Sequence, residues 1–524
     1  MPVFELVITL LLVGAVLSAL ARRFHAPYPA LLALAGAALA LLPGTPSITL
    51  DPELALTLLV APVLLDAAFD SSPRDLRRNW RAVTGLALVA VALTVTAVAL
   101  VARWLIPELP WPAAIALGAI VAPPDAAAAT TVLRQLRPPH RILVILEGES
   151  LFNDASALLI YRLAVGAAVT GAFGGWRAVP MLLVVAVGSA LLGAVLSRVS
   201  LYASMRIRDV PTAVIVQFLG TFAVWMVADR LGLSSIIAVV VFAILVARIA
   251  PDVMPARLRI QSYAVWDVVV FVLNVLAFIL IGLQLKPILQ RLSPAELARY
   301  AMAAAVICGT VIVVRIVWIT TYAAVARWGG TRVSSRAAIV VAWCGMRGIV
   351  TLAAALALPA GGAGRPPFPF RDFILFTAFC VVLGTLVVQG LTLRPLMQRL
   401  GLHDDGSVDR EARLARAETT KAGLAALEFA GGDSEMLDFL RRKYEARRRR
   451  AETPEGQPDP AESDGWRAYH GAQRRAQTAE RRMLSDLRAQ GVIGDDAFHQ
   501  IEEELDWAEV NAEARGGAGR EMES

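Results

Sequence analysis

Charge is scarce in this 524-residue chain: Asp, Glu, Lys and Arg make up 18% of it, against about 25% in soluble globular proteins. Hydrophobic residues reach 57%, so the composition reads as a polytopic membrane protein. Cysteine is scarcer still. Cys308, Cys344 and Cys380 lie far apart in separate apolar runs, match no metal spacing, and read as packing residues instead of ligands or a bridge. With only five histidines there is no His-Glu-x-x-His. Gly-x-Gly-Asp, Gly-x-Ser-Gly and a Walker A loop are missing too, which disfavours an intramembrane protease and an ATP-driven pump. No cofactor is implied. The formal net charge of +6 argues little for nucleic acid.

What the chain has in quantity is apolar sequence. Runs long enough to span at about 20 residues each lie near 3–20, 28–43, 53–70, 82–102, 111–133, 142–171, 179–197, 211–229, 233–250, 266–285, 300–325, 337–359 and 371–393. Read as about 13 transmembrane helices, they give an all-α fold. Arg22 and Arg23 directly follow the first run, and loops such as Ser71 to Arg81 (SSPRDLRRNWR) are rich in arginine. The positive-inside rule then places the N-terminus outside and the C-terminus in the cytoplasm. The Ala- and Arg-rich composition hints at a GC-rich bacterial genome and so at an inner-membrane protein.

After residue 400 the composition turns charged, which divides the chain into a membrane domain (1–400) and a cytoplasmic helical tail (401–524) with a possible regulatory role. The tail holds 19 basic and 27 acidic residues by count. Arg410 to Arg450 and Trp466 to Ala489 read as helices joined by a Pro- and acid-rich linker, with a short acidic helix around Asp496 to Asn511.

The residues that can carry chemistry sit inside apolar runs, where an ionisable group is costly and marks an ion or proton pathway. In Gly148 to Tyr161 (GESLFNDASALLIY), helical periodicity puts Glu147, Ser150 and Asp154 on one face and Glu149 with Asn153 on a neighbouring one. Asp154 and Ser150 can offer oxygens to a dehydrated cation, whereas Glu149 needs a positive partner, for which Arg347, set between Gly345 and Gly348, is the candidate. Asp125 follows Pro123 and Pro124, so its helix should unwind there and bare carbonyl oxygens, Pro124's among them. Asp66 either lines a cavity or is a helix-end carboxylate. Asp267 and Asn274 share a face and either line an inner vestibule, with Glu147, or face other helices. Arg162 and Arg315 read as structural or interfacial. The prolines of the Asp125 run and the glycines around Arg347 also qualify as the paired broken helices of an inverted repeat.

In series, APVLLDAAFDSSPRDLRRNWR, APPDAAAATTVLRQL, ILEGESLFNDASALLIYR, WDVVVFVLNVLAFILIGLQL, GMRGIVTLAAALALP and VVQGLTLRPL resemble the monovalent cation:proton antiporter family, sodium/proton exchanger branch, over Leu54 to Leu402. The resemblance implies that Asn153 and Asp154 carry the transported ion or proton, with Asp125 of the unwound helix and Ser150 beside the bound Na⁺. It implies a stabilising ion pair between Glu149 and Arg347, and it matches Asp66 to an acidic position of the third helix. The chain reads Pro124-Asp125-Ala126 where many members read Thr-Asp-Pro, so a threonine hydroxyl is lost while the Pro124 carbonyl stays.

The function implied is secondary transport, not enzymatic catalysis: exchange of Na⁺, or Li⁺ or K⁺, for H⁺ by alternating access. Asparagine at position 153 goes with electroneutral exchange, one cation per proton competing for Asp154. The expected partners are the monovalent cation, the proton, the lipid bilayer and a second copy of the chain in a homodimer. A cation channel or a membrane sensor using the same polar core is the alternative.

Overall fold

The computed structural model describes residues 2–23, 27–42, 52–170, 178–207, 209–328, 334–361, 367–429, 435–452 and 464–490, with isolated stretches between 492 and 508. Among the described residues every regular element is a helix. The chain opens with α1 (Pro2–Arg23) and α2 (Tyr28–Leu41). α3 (Pro52–Ala55), a π-helical turn over Leu56–Val60 and α4 (Ala61–Phe69) run on without a break. After the loop helix α5 (Pro73–Arg78), the sequence α6 (Trp80–Thr84), a second π turn (Gly85–Ala90) and α7 (Val91–Leu105) is again continuous. Next come α8 (Trp111–Val121), α9 (Ala126–Leu136) and the long α10 (His140–Thr170).

α11 (Ala178–Ser204), α12 (Val210–Arg230), α13 (Ser235–Val253) and α14 (Ala256–Leu283) follow, then the short α15 (Leu285–Leu289) and α16 (Pro294–Trp328). α17 (Ser335–Trp343), α18 (Ile349–Leu356) and α19 (Arg371–Leu400) complete this part. Over the described residues, each apolar run of the sequence falls on a helix or on successive helical elements, continuous or broken. Among the described residues eight stretches are individually long and apolar enough to cross a membrane, and three shorter apolar helices cover Ile8–Ala21, Tyr28–Leu41 and Leu56–Phe69. α10, which carries Glu147, Glu149 and Asp154, is not among the eight.

Two groups with the same plan lie against each other. In each, a long helix, a broken helix and a second long helix succeed one another: α6/α7, α8/α9 and α10, then α16, α17/α18 and α19. Their shared core contains Val95, Leu117, Ile120, Tyr161, Ile307, Phe373 and Val381. The other helices form a second bundle, in which α2 packs on α14, α11 on α13, and α13 on α4. Lipid tails offer no hydrophobic drive for helices to associate, so packing depends on small residues that let backbones approach. Gly36 and Gly282 show this: a Cβ on either would run into backbone of the other helix, at Ile279 for Gly36 and at Ala33 and Ala37 for Gly282.

Two compact units divide the chain, Met1–Asp405 and Gly406–Ser524. In the second, the expected continuous helix from Arg410 to Arg450 is two helices, α20 (Ser407–Phe429) and α21 (Glu435–Glu452), that pack on each other. Gly423 marks the contact, since a Cβ there would come within 2.7 Å of the Tyr444 ring. Gly431 and Gly432, poor helix formers, stand between the two. α22 (Asp464–Ala489) matches the second expected helix. The linker before it and most of the acidic helix expected at Asp496–Asn511 lie outside the described residues, although 504–508 are helical.

Candidate ion-binding site

The site is built where the two broken helices meet. Pro123 and Pro124 lack the N–H groups that would continue α8, so the chain is unwound until Asp125, which caps α9 by accepting the Ala127 N–H at 2.9 Å. In the other break, Cys344 to Gly348 leave the helix, and the Asp125 N–H donates to the Met346 carbonyl at 2.7 Å. The breaks are thus hydrogen-bonded to each other. Gly348 is required for this approach, because a Cβ there would fall inside the Asp125 carboxylate.

α10 crosses this junction. Its Asn153 side chain is fully buried and donates Nδ2–H to the Pro124 carbonyl at 3.0 Å, while among the described residues its Oδ1 has no hydrogen-bond partner. Ser150 Oγ accepts the Ala126 N–H at 3.4 Å. Asp154, one turn further, is 8% exposed and lies within electrostatic range of Asp125. The structure therefore brings Asp125, Asn153, Asp154, Ser150 and the Pro124 carbonyl together. Ser156, on the same helix, donates to Ala87 O at 2.6 Å, within the second π turn.

The arginines are arranged differently from the sequence expectation. Glu149 does not pair with Arg347; its carboxylate takes both arms of Arg315, at 2.5 and 2.8 Å, with both side chains buried. Arg315 projects from α16 and also donates to Val341 O and Cys344 O at the end of α17. Arg347, 1% exposed, donates Nε–H to Val121 O at 2.7 Å and Nη1–H to Gly345 O, and its own N–H is held by Thr385 Oγ1 at 3.0 Å. The physical reason is that Arg347 stands at the C-terminal ends of two half-helices. Their unsatisfied carbonyls and partial negative charge satisfy a guanidinium without a carboxylate. A mid-span arginine needs compensation, and that signal in the α16 sequence marks Arg315 as Glu149's partner as fairly as it marks Arg347.

The remaining candidates lie toward one end of the bundle. Glu147 forms an ion pair with Arg134 of α9 at 3.1 Å. Asp66, half-buried on α4, lies within electrostatic range of Asp70, of Asp267 on α14 and of Arg134. Asn274, two turns further along α14, is half-buried. Arg162 faces Asp229 of α12 at 3.7 Å on the surface. The three cysteines are free. Among the described residues no three His, Cys, Asp or Glu side chains gather as a resident metal would require.

Comparison with known proteins agrees with this architecture. The family model described as sodium/hydrogen exchanger, transmembrane, matches residues 7–399. A Mycobacterium bovis protein named as an uncharacterised Na⁺/H⁺ exchanger is 32% identical over 85% of the chain and 84% of its own length. A sodium, potassium, lithium and rubidium/H⁺ antiporter of Bacillus pumilus is 31% identical over 76% of the chain and 62% of its own length. Among solved structures, the sodium proton antiporter from Methanocaldococcus jannaschii at pH 8 superposes with a TM-score of 0.61 at 18% identity, covering 74% of this chain and 98% of that one.

Proposed function

The chain belongs to the sodium/hydrogen exchanger family, and we propose from that premise how it exchanges a monovalent cation for a proton. Asp154 is the carrier and Asp125 its partner, with Ser150, the unpaired Asn153 Oδ1 and the Pro124 carbonyl completing an oxygen-rich site for a small hard cation, Na⁺ first among them. The observation that carries the reading is the convergence of two carboxylates, the half-buried Asp125 and the buried Asp154, where the two unwound segments cross. A carboxylate there holds either a proton or a dehydrated cation, and taking up one releases the other.

One cation per proton makes the exchange electroneutral. Arg347 and the Glu149–Arg315 pair hold the crossing and do not touch the ion. Alternating access comes from the core carrying both broken helices moving against the second bundle. That bundle also supplies the surface for a homodimer. Asp66, Asp267, Asn274 and Glu147 line the vestibule on the cytoplasmic side. The arginine-rich loop from Ser71 to Arg81 assigns that side, with the N-terminus outside, the C-terminus inside, and the inner membrane as location. The unit from Gly406 onward is a regulatory tail.

The test is purified protein in liposomes with an imposed pH gradient, challenged with Na⁺, Li⁺ or K⁺. Wild type should dissipate the gradient whether or not the membrane potential is clamped, and Asp154→Asn should not. A variant as active as wild type removes Asp154 from the mechanism. A flux that charges the membrane removes the one-for-one stoichiometry and moves a channel forward.

A further inference from the structure

At the vestibule end of the membrane unit one arginine faces three carboxylates, those of Glu147, Asp66 and Asp70. α9 and α10 are joined by only Arg137, Pro138 and Pro139, with Arg137 in the left-handed region (φ 45°), and this tight reversal lays the last turn of α9 beside the start of α10. Arg134 thereby meets Glu147 at 3.1 Å. Across the gap, Asp66 and Asp70 stand one turn apart at the end of α4, with Asp267 on α14, and both α4 carboxylates lie in the field of Arg134. Arg134 and Glu147 belong to the group with the broken helices, whereas α4 and α14 belong to the other bundle. The arginine side chain is 62% exposed and Glu147's is 25% exposed, so the pair is easily opened by water and salt.

We propose that Arg134 is a tethered competitor of the transported cation: it occupies the acidic vestibule in place of an arriving ion and sets the cation's apparent affinity from that side. The inference rests on the exchange reading above and adds a residue to it. A cleft of one charge sign concentrates the opposite ion. A guanidinium fixed inside it lowers that concentration and holds one carboxylate directly. An entering cation needs no contact with Arg134; it displaces it. Arg134 is therefore a positioning residue that acts through Glu147 and the α4 aspartates, and it touches neither Asp125 nor Asp154.

The test compares wild type, Arg134→Gln, Arg134→Lys and Glu147→Gln in full-length protein reconstituted with known orientation, measuring Na⁺-driven proton flux from each face at low and high ionic strength. For Arg134→Gln the KM from the vestibule face should fall about threefold to tenfold, with the maximal rate within about twofold and the opposite face unchanged. The gain should vanish near 1 M inert salt, where the Debye length contracts to about 3 Å. Arg134→Lys should behave as wild type, and Glu147→Gln should raise the KM at the same face. An unchanged KM, an equal change at both faces, or a loss of maximal rate alone overturns the proposal, the last marking a merely structural tie between α9 and α10. Failure of the exchange reading would look different: Asp154→Asn would stay active, whatever the sidedness of Arg134→Gln.

Discussion

The two broken helices reach the same shape by opposite chemistry. The break between α8 and α9 is made by Pro123 and Pro124, which cannot donate, and the one between α17 and α18 is bounded by Gly345 and Gly348, which leave room. The first sets a carboxylate, Asp125, at the N-terminus of α9, and the second sets a guanidinium, Arg347, on the carbonyl ends of α8 and α17. A helix end carries roughly half an elementary charge, positive at the N-terminus and negative at the C-terminus. Each inserted charge therefore meets the helix ends of the sign it needs. An ionisable residue in the membrane can thus be compensated by backbone, and Arg315 and Arg347 show the two solutions side by side: one bound to Glu149, the other to carbonyls.

Removing each arginine tests that contrast, and the largest effect is expected here. Arg315→Met strands the Glu149 carboxylate in the interior, a loss of about 3–5 kcal/mol for breaking a buried pair from one side. Arg347→Met strands carbonyls only, costing about 1–3 kcal/mol. Thermal unfolding of detergent-purified protein should rank the melting temperatures in that order. Adding Glu149→Gln should recover much of the loss in Arg315→Met and little in Arg347→Met. If the coupling runs the other way, with Glu149 linked to Arg347, the pairing described here is not the one that holds the protein together.

The glycines offer the next contrast. A methyl group at Gly348 would enter the Asp125 carboxylate, whereas at Gly345 it meets no site carboxylate and presses instead on the Arg315 side chain, 2.6 Å from Cδ. Gly348→Ala must therefore push Asp125 aside, and a displacement near 1 Å at a reacting group costs about a hundredfold in rate. Gly345→Ala should keep most of its activity. Proteoliposome flux, normalised to folded protein by size exclusion, separates the two; equal rates would mean that the approach of Gly348 to Asp125 does not set the site.

How much of this is visible in sequence depends on the range of the cause. The breaks are legible because proline and glycine act within a turn, and Asn153, Asp154 and Asp125 stand out because a polar or charged group in an apolar run is costly. The partner of Glu149 is not: Arg315 lies 166 positions away in sequence, and spacing along one helix says nothing about which other helix crosses it. Arg134 escaped for the same reason, since the carboxylates around it, Glu147, Asp66 and Asp70, come from two other helices. The bond from Ser156 to Ala87 lies in a π turn that no residue pattern in Gly85–Ala90 announces. In the tail, a run of helix formers reads as one helix until Gly431 and Gly432 are given their weight.

The smallest effect is expected where water replaces the bilayer as the medium. In the loop helix α5, the side chain of Asp75 is nearly buried, and that burial works against its charge. Hydrogen bonds from Arg74, Ser72 and His140 outweigh it and hold the carboxyl below the ordinary carboxylate range. A depressed folded value means that the stabilisation is complete above the unfolded value of about 3.9 and is lost as pH falls through the folded one. Arg74 is two-thirds in water, so Asp75→Asn should cost under about 1 kcal/mol at neutral pH. The gap between the two unfolding curves should close only below about pH 4. A gap that persists under strong acid would mean that Asp75 acts through the shape of the Ser72 cap and not through its charge. The contrast between charges held by water and charges held by helix ends would then have to rest on Arg315 and Arg347 alone.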